Sequence, residues 1–187
     1  MGRLARILLV CLAATAALGA AGCASTEEER SISATEGPFI GVNELTYQIQ
    51  MSRILEPTSV EDSAYLKGLA DGVDIRADEV WFAIFLRVEN ETEETHRAAD
   101  EFEIVDTQEQ KYRPVVLDPN ANAFLYRPRD VAPGVIVPEP DTPAFNGPIQ
   151  GELILFKVKV PSLYNRPLEF RISNTGGEDT GIIDIDV

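Results

Sequence analysis

The nine residues from Val80 to Val88 constrain the fold more than any other part of the chain. Val80, Phe82, Ile84, Leu86 and Val88 recur with a period of two, which puts them on one face of a β-strand. Trp81, Ala83 and Phe85 make the start of the opposite face apolar as well, and Arg87 and Glu89 finish it polar. A strand of this kind needs cover on both sides, so it belongs in the middle of a sheet. The same period recurs at Leu45, Tyr47, Ile49 and Met51, and at Ile154, Phe156, Val158 and Val160, where Lys157 and Lys159 face away. Shorter apolar runs follow at Phe102 to Val105, Tyr112 to Val116 and Leu168 to Ile172. Ile183, Ile185 and Val187 end the chain, with Asp184 and Asp186 turned outward as solubilising charges. No stretch carries a long helical period. Seven or eight short strands at this spacing predict an all-β, immunoglobulin-like antiparallel β-sandwich over residues 39–187.

Two long connections interrupt the strands. Residues 56–78 include Ala64 to Leu69, which suit a helical turn or a short extra strand. Residues 117–149 are proline-rich: eight of the chain's twelve prolines lie from Pro114 to Pro148. Proline removes ladder donors, so this stretch is loop or sheet edge. Connections of that length in a compact domain are functional or mobile. This one carries Phe124, Tyr126 and Phe145 with Arg127 and Arg129. Two readings stand side by side. The aromatic rings pack back over the sandwich rim and pin the loop, or the five residues form a contact surface for a protein or glycan partner.

The N-terminus has a different design. Arg3 and Arg6 precede a twelve-residue apolar run from Ile7 to Leu18, too short to span a bilayer, which takes about 20 residues. Small residues and Cys23 follow, in the order of an export signal occupying residues 1–22. Leu18-Gly19-Ala20-Ala21-Gly22-Cys23 resembles the lipobox of bacterial lipoproteins, although Ala20 stands where that family usually has Leu. The resemblance implies that the Cys23 sulfur receives a diacylglyceryl group and that cleavage falls just before it. Cys11 leaves with the signal, so Cys23 is the one cysteine of the mature chain, and acylation accounts for it. Ordinary signal-peptidase cleavage with secretion, or an uncleaved anchor, are the alternatives. Residues 23–38 read as an acidic, flexible tether with Glu27, Glu28 and Glu29, reaching roughly 20 Å on average. The expected location is the extracytoplasmic face of a bacterial cell membrane, with the membrane itself as partner through the lipid.

Charge narrows the functional classes. The whole chain carries −15, and loss of the signal with its two arginines leaves −17. A surface this negative repels phosphate backbones, so nucleic acid is not an expected partner. With one His and two Cys, zinc clusters and dithiol redox pairs are excluded, and no cofactor is expected. Asp71, Asp74 and Asp78 form the densest acidic loop, but their spacing matches no EF-hand, and a solvated loop is the simpler reading. His96 sits among carboxylates with no Ser or Cys partner, so no catalytic residue is assigned.

One longer pattern points to a family. It runs from the strand Glu79 to Asn90 through Phe102-Glu103-Ile104-Val105-Asp106, Lys111-Tyr112 and Ala132-Pro133-Gly134 to Gly151-Glu152-Leu153-Ile154-Leu155-Phe156. The layout resembles the telokin-like, immunoglobulin-like domain of bacterial lipoproteins of unknown function, and is similar to that of mycobacterial immunoprotective extracellular antigens. The spacer Val135 to Gln150 departs from that family's short turn. The resemblance implies a sandwich over about residues 40–187 and no catalytic residues. The expected role is a non-enzymatic binding or interaction module. An accessory structural subunit of an envelope complex, or a hydrolase with a loop-borne carboxylate site, are the alternatives.

If Cys23 is the attachment site, intact mass of the membrane form gives a diacylglyceryl-modified chain starting at residue 23, and Cys23→Ser leaves the precursor uncut. An unmodified mature chain starting elsewhere contradicts the assignment.

Overall fold

The computed structural model describes residues 30–32, 37 and 39–185. The expected export signal, Cys23, the rest of the expected tether, Asp186 and Val187 lie outside them. The strands in chain order are β1 (Arg30–Ile32), β2 (Phe39–Val42), β3 (Leu45–Leu55), β4 (Glu79–Glu89), β5 (His96–Arg97), β6 (Glu101–Val105), β7 (Lys111–Tyr112), β8 (Asp130–Val131), β9 (Ile136–Val137), β10 (Glu152–Lys159), β11 (Leu168–Ser173) and β12 (Thr180–Ile185). Two four-residue helices, α1 (Val60–Ser63) and α2 (Pro143–Asn146), sit in the long connections. A 3-10 turn, Val160–Tyr164, follows β10.

These strands build a β-sandwich. One sheet has the order β1-β12-β11-β6-β7, and the other β10-β4-β3-β2 with β9 beside the end of β4. β4 is central, as its two apolar faces require. Its register pairs Phe82 with Phe156 of β10 and with Ile54 of β3. Phe82, Ile84, Leu86 and Val88 are buried between the sheets, against Phe170, Ile104 and Ile183 of the other layer. Trp81, Ala83 and Phe85 belong to a second cluster on the opposite side, roofed by Tyr65, Leu117 and Ile149 from the two long connections. The layers meet closely: a Cβ on Gly181 would lie 2.5 Å from a Val42 methyl. The β2–β3 hairpin turns at Asn43 and Glu44, both at positive φ as a two-residue type I′ loop demands.

The pairing departs from the expected layout at three places. Arg30–Ile32, placed by sequence in the tether, runs parallel to β12, with Arg30 beside Gly181 and Ile32 beside Ile183. The Tyr112 to Val116 strand shrinks to Lys111–Tyr112, because the chain crosses from one sheet to the other at Arg113 and Pro114. The closing strand starts at Thr180, three residues before the expected Ile183, and its described part runs to Ile185. In the 56–78 connection, the helix is α1, immediately before the Ala64 to Leu69 stretch expected to form a helical turn or a short extra strand; that stretch continues as turn to Gly68, and Leu69 makes a single bridge with Leu117. Ser59 caps α1, its hydroxyl accepting from the Asp62 amide.

Phe82 is fully buried and Asp184 is only partly covered on an outer face. Truncating a core Phe to Ala costs about 3–5 kcal/mol, while a surface change costs under about 0.5. In denaturant unfolding, Phe82→Ala should therefore lose several kcal/mol and Asp184→Ser almost nothing. Equal effects would contradict the register given for β4.

Candidate functional site

β10 is the outer strand of its sheet, and the proline-rich connection covers its free edge. The Leu153 amide donates to the Phe124 carbonyl at 2.7 Å, and the Tyr126 amide to the Leu153 carbonyl at 2.9 Å. Further along, the Val115 amide donates to the Leu155 carbonyl at 2.7 Å. An open edge is a pairing hazard, and these bonds close much of it. The loop between the clips is fastened in turn. Buried Asn122 donates to the Tyr65 and Lys67 carbonyls, both at 2.9 Å, and accepts from the Phe124 amide at 3.0 Å. Both long connections are thus tied into one roof.

The crossing at Arg113 and Pro114 leaves the outer edge of β6 bare at Glu101 to Glu103 and opens a groove with two lobes. The larger, of about 560 Å³, is floored by outward side chains of three strands: Glu101 and Glu103 of β6, Arg171 and Ser173 of β11 and Thr180 of β12. Lys111, Arg113 and Pro114 wall it. The smaller lobe, of about 220 Å³, is apolar, lined by Val115, Val116, Leu117, Leu125, Leu153 and Leu155 among others. Asp100, Phe102 and Pro114 border both. Within the charged lobe, Glu103 takes the Lys111 ammonium at 3.0 Å and lies 3.9 Å from the Arg113 guanidinium. Arg113 of the charged lobe and Val116 of the apolar lobe both stand almost fully exposed.

The five loop residues singled out by sequence are placed differently from an exposed contact set. Tyr126 is buried, and its hydroxyl donates to the Ala99 carbonyl at 2.9 Å. Phe124 packs edge-on against Tyr65 with ring centres 4.9 Å apart. Phe145 is half-buried in α2. Arg129 donates twice to the Glu152 carboxylate, at 3.2 and 2.6 Å. Arg127 alone of the five is exposed, and its guanidinium bonds the Pro119 carbonyl. Phe124, Tyr126 and Arg129 hold the rim together, the two rings because an aromatic side chain on a pinned loop buries more area against the sandwich than it leaves in water. The groove residues were not identified from sequence. The period of two turns Glu101, Glu103 and Arg171 outward, but only the pairing of β6 with β11 brings them together.

Buried ionisable groups are committed to structure. Ala99 is held from both sides, its amide donating to the Tyr47 hydroxyl at 2.8 Å and its carbonyl accepting from Tyr126. Burial pushes the Tyr47 hydroxyl up to about 12 and Tyr126 well above its ordinary value. Burial also raises the Glu152 carboxyl, against the opposing pull of Arg129. Asp62 is buried and paired with Arg53. Asp106 closes the β6–β7 turn, accepting from the Gln108 and Gln110 amides, both at 2.9 Å, and from the Asn165 side chain at 3.0 Å. Burial alone would raise its pKa. Hydrogen bonds from Asn165, Ser162, Gln110 and Gln108 outweigh it and hold the carboxyl below the usual range.

The remaining candidates lie apart. Asp71, Asp74 and Asp78 are exposed, and the Asp74 carboxylate accepts from the next amide, that of Ile75, at 2.8 Å. Among the described residues no group of three or more His, Cys, Asp or Glu is placed to hold a metal ion. His96 lies half-buried in β5, paired with Val131. No helix among the described residues is long and apolar enough to cross a membrane.

No protein-family model matches the chain, and no curated protein matches it in sequence. Solved structures of similar shape exist. The yjhA protein of Bacillus subtilis is 11% identical, with a TM-score of 0.48, covering 81% of this chain and 98% of its own. A candidate lipoprotein of the same organism, ycdA, is 10% identical with a TM-score of 0.48, over 79% of this chain and 38% of its own. A β-sandwich protein of Clostridium difficile is 11% identical with a TM-score of 0.46, over 84% of this chain and 95% of its own.

The Asp106 knot carries a pH signature. A carboxyl whose pKa is lower in the folded than in the unfolded chain stabilises above the unfolded value of about 3.9, and the gain is lost as pH falls through the folded pKa. Asp106→Asn should cost about 1.5–3 kcal/mol at pH 7, the range for hydrogen bonds to a charged group. The difference from wild type should shrink below pH 4 in denaturant unfolding. A pH-independent difference would contradict the assignment.

Proposed function

We propose that this chain is a lipid-anchored, non-enzymatic binding module on the extracytoplasmic face of a bacterial membrane, and that it engages its partner through the two-lobed groove. The anchor rests on the lipobox-like residues up to Cys23, and the resemblance to telokin-like lipoprotein domains rests on the quoted strand motifs alone. The observation that carries the binding role is the groove itself. Its floor is built on paired strands, which hold side chains in place more firmly than a free loop does. It sets an apolar lobe directly beside a charged one, the combination that orients a ligand while excluding water. The non-enzymatic reading is supported by the fate of Asp62, Asp106 and Glu152. Each buried carboxylate is taken up by an ion pair or a turn.

The partner that suits such a groove is a protein segment with an apolar side chain next to charged ones. Val116→Glu and Arg113→Glu change exposed residues, one in each lobe, and should leave thermal unfolding unaltered. In capture from detergent-solubilised membranes, a protein held by the wild type should be lost at least tenfold with either variant and retained with Glu178→Gln, outside the groove. Equal retention by all three moves the contact off the groove.

A further inference from the structure

The position of β1 sets which way the sandwich faces on its membrane, given the anchor at Cys23 proposed above. Arg30 lies beside Gly181, at the start of β12, and so at the pole where residues 174–179 turn. The Asn43–Glu44 turn is at that pole too: the Asn43 amide bonds Asp179 at 3.0 Å and its side chain bonds Asn174 at 2.7 Å. β4 also ends there, since Glu89 pairs with Thr46. The opposite pole holds the Asp106–Gln110 turn and Tyr164, which is 81% exposed.

Chain lengths decide what this arrangement permits. Cys23 and Arg30 are seven residues apart, a span of at most about 25 Å however the chain runs. β3, with 11 residues, makes the sandwich about 35 Å from pole to pole. A body tied at one pole by a shorter leash than its own length cannot invert over the surface. Without β1 the first sandwich residue would be Phe39, sixteen residues from Cys23, and a leash of up to about 55 Å would allow inversion. The tied pole is also acidic, with Glu44, Glu91, Glu93, Glu94, Glu178 and Asp179, so an anionic bilayer holds it off rather than drawing it down.

We infer that β1 clamps the sandwich in one polarity, with the 174–179 pole toward the bilayer and the Tyr164 pole away. Glu101, Ser173 and Thr180 bring one end of the charged lobe to the near pole, while Lys111, paired with Val105, lies toward the far one, so the groove runs outward from the membrane side.

The test uses the full membrane-extracted protein, reconstituted into phosphatidylcholine–phosphatidylglycerol vesicles with an acceptor dye on the lipid headgroups. The mature chain has no thiol besides Cys23, and the lipid blocks that one, so Glu178→Cys and Tyr164→Cys each offer a single labelling site. Energy transfer to the bilayer should be at least twofold stronger from position 178 than from 164. Ser31→Pro removes a backbone donor from β1, and the difference should then shrink. Equal or reversed transfer in the parent overturns the polarity. A difference that survives Ser31→Pro unchanged overturns the clamp. Intact mass without acyl groups overturns the anchor itself, and the polarity with it.

Discussion

The burial of β4 on both faces is the constraint from which the rest of the structure follows. Phe82, Ile84, Leu86 and Val88 need one cover, and Trp81, Ala83 and Phe85 need another. The second sheet supplies the first. The third sheet, the two-stranded pair β5–β8, adds Val131 to the core between the two main sheets, so the long connections supply the other. Burying each large side chain is worth about 1.5–3 kcal/mol, enough to justify ordering loop residues that would otherwise remain in water. That is why residues 56–78 and 117–149 carry Tyr65, Leu69, Leu117, Phe124 and Leu125, and why these point inward.

A loop that serves as a roof must satisfy its own backbone, and polar side chains do that here. Asn122 ties the two connections at buried carbonyls. Asn90 does the same after β4, donating to the Glu94 and Val131 carbonyls at 2.7 Å each. Arg129 and Glu152 lock the loop to β10 by a bidentate pair, a geometry that adds direction to charge. Such knots are costly to leave half-made, because an unpaired buried carboxylate or amide keeps its full desolvation penalty. They explain why a chain of −15 net charge can bury carboxylates at all.

The groove is a by-product of the same economy. The chain leaves β6 after two paired residues of β7 and crosses to β10, exposing the floor of one sheet beside the clipped edge of the other. Its charged lobe combines residues far apart in sequence, from Glu101 to Thr180. The same topology brings one end of that lobe, at Glu101, Ser173 and Thr180, to the pole where β1 enters.

Local chemistry alone determined the longer strands, their inward faces and the centrality of β4, since a period of two in large apolar residues has only one economical packing. It also holds the lipobox-like order of residues up to Cys23, a pattern that depends on linear order and not on folding. The loop aromatics show where linear reading stops. Phe124 and Tyr126 look like a contact surface in sequence, and become roof and core once Phe85 and Ala99 are brought beneath them. Two-residue strands such as β7 and β9 are too short to carry a period. β1 gives no apolar signal that separates it from its tether, and its place beside β12 is decided by a free sheet edge. Which charges share a groove, and at which pole β1 enters, depend on strand pairing between residues far apart in the chain, and that information exists only in the folded chain.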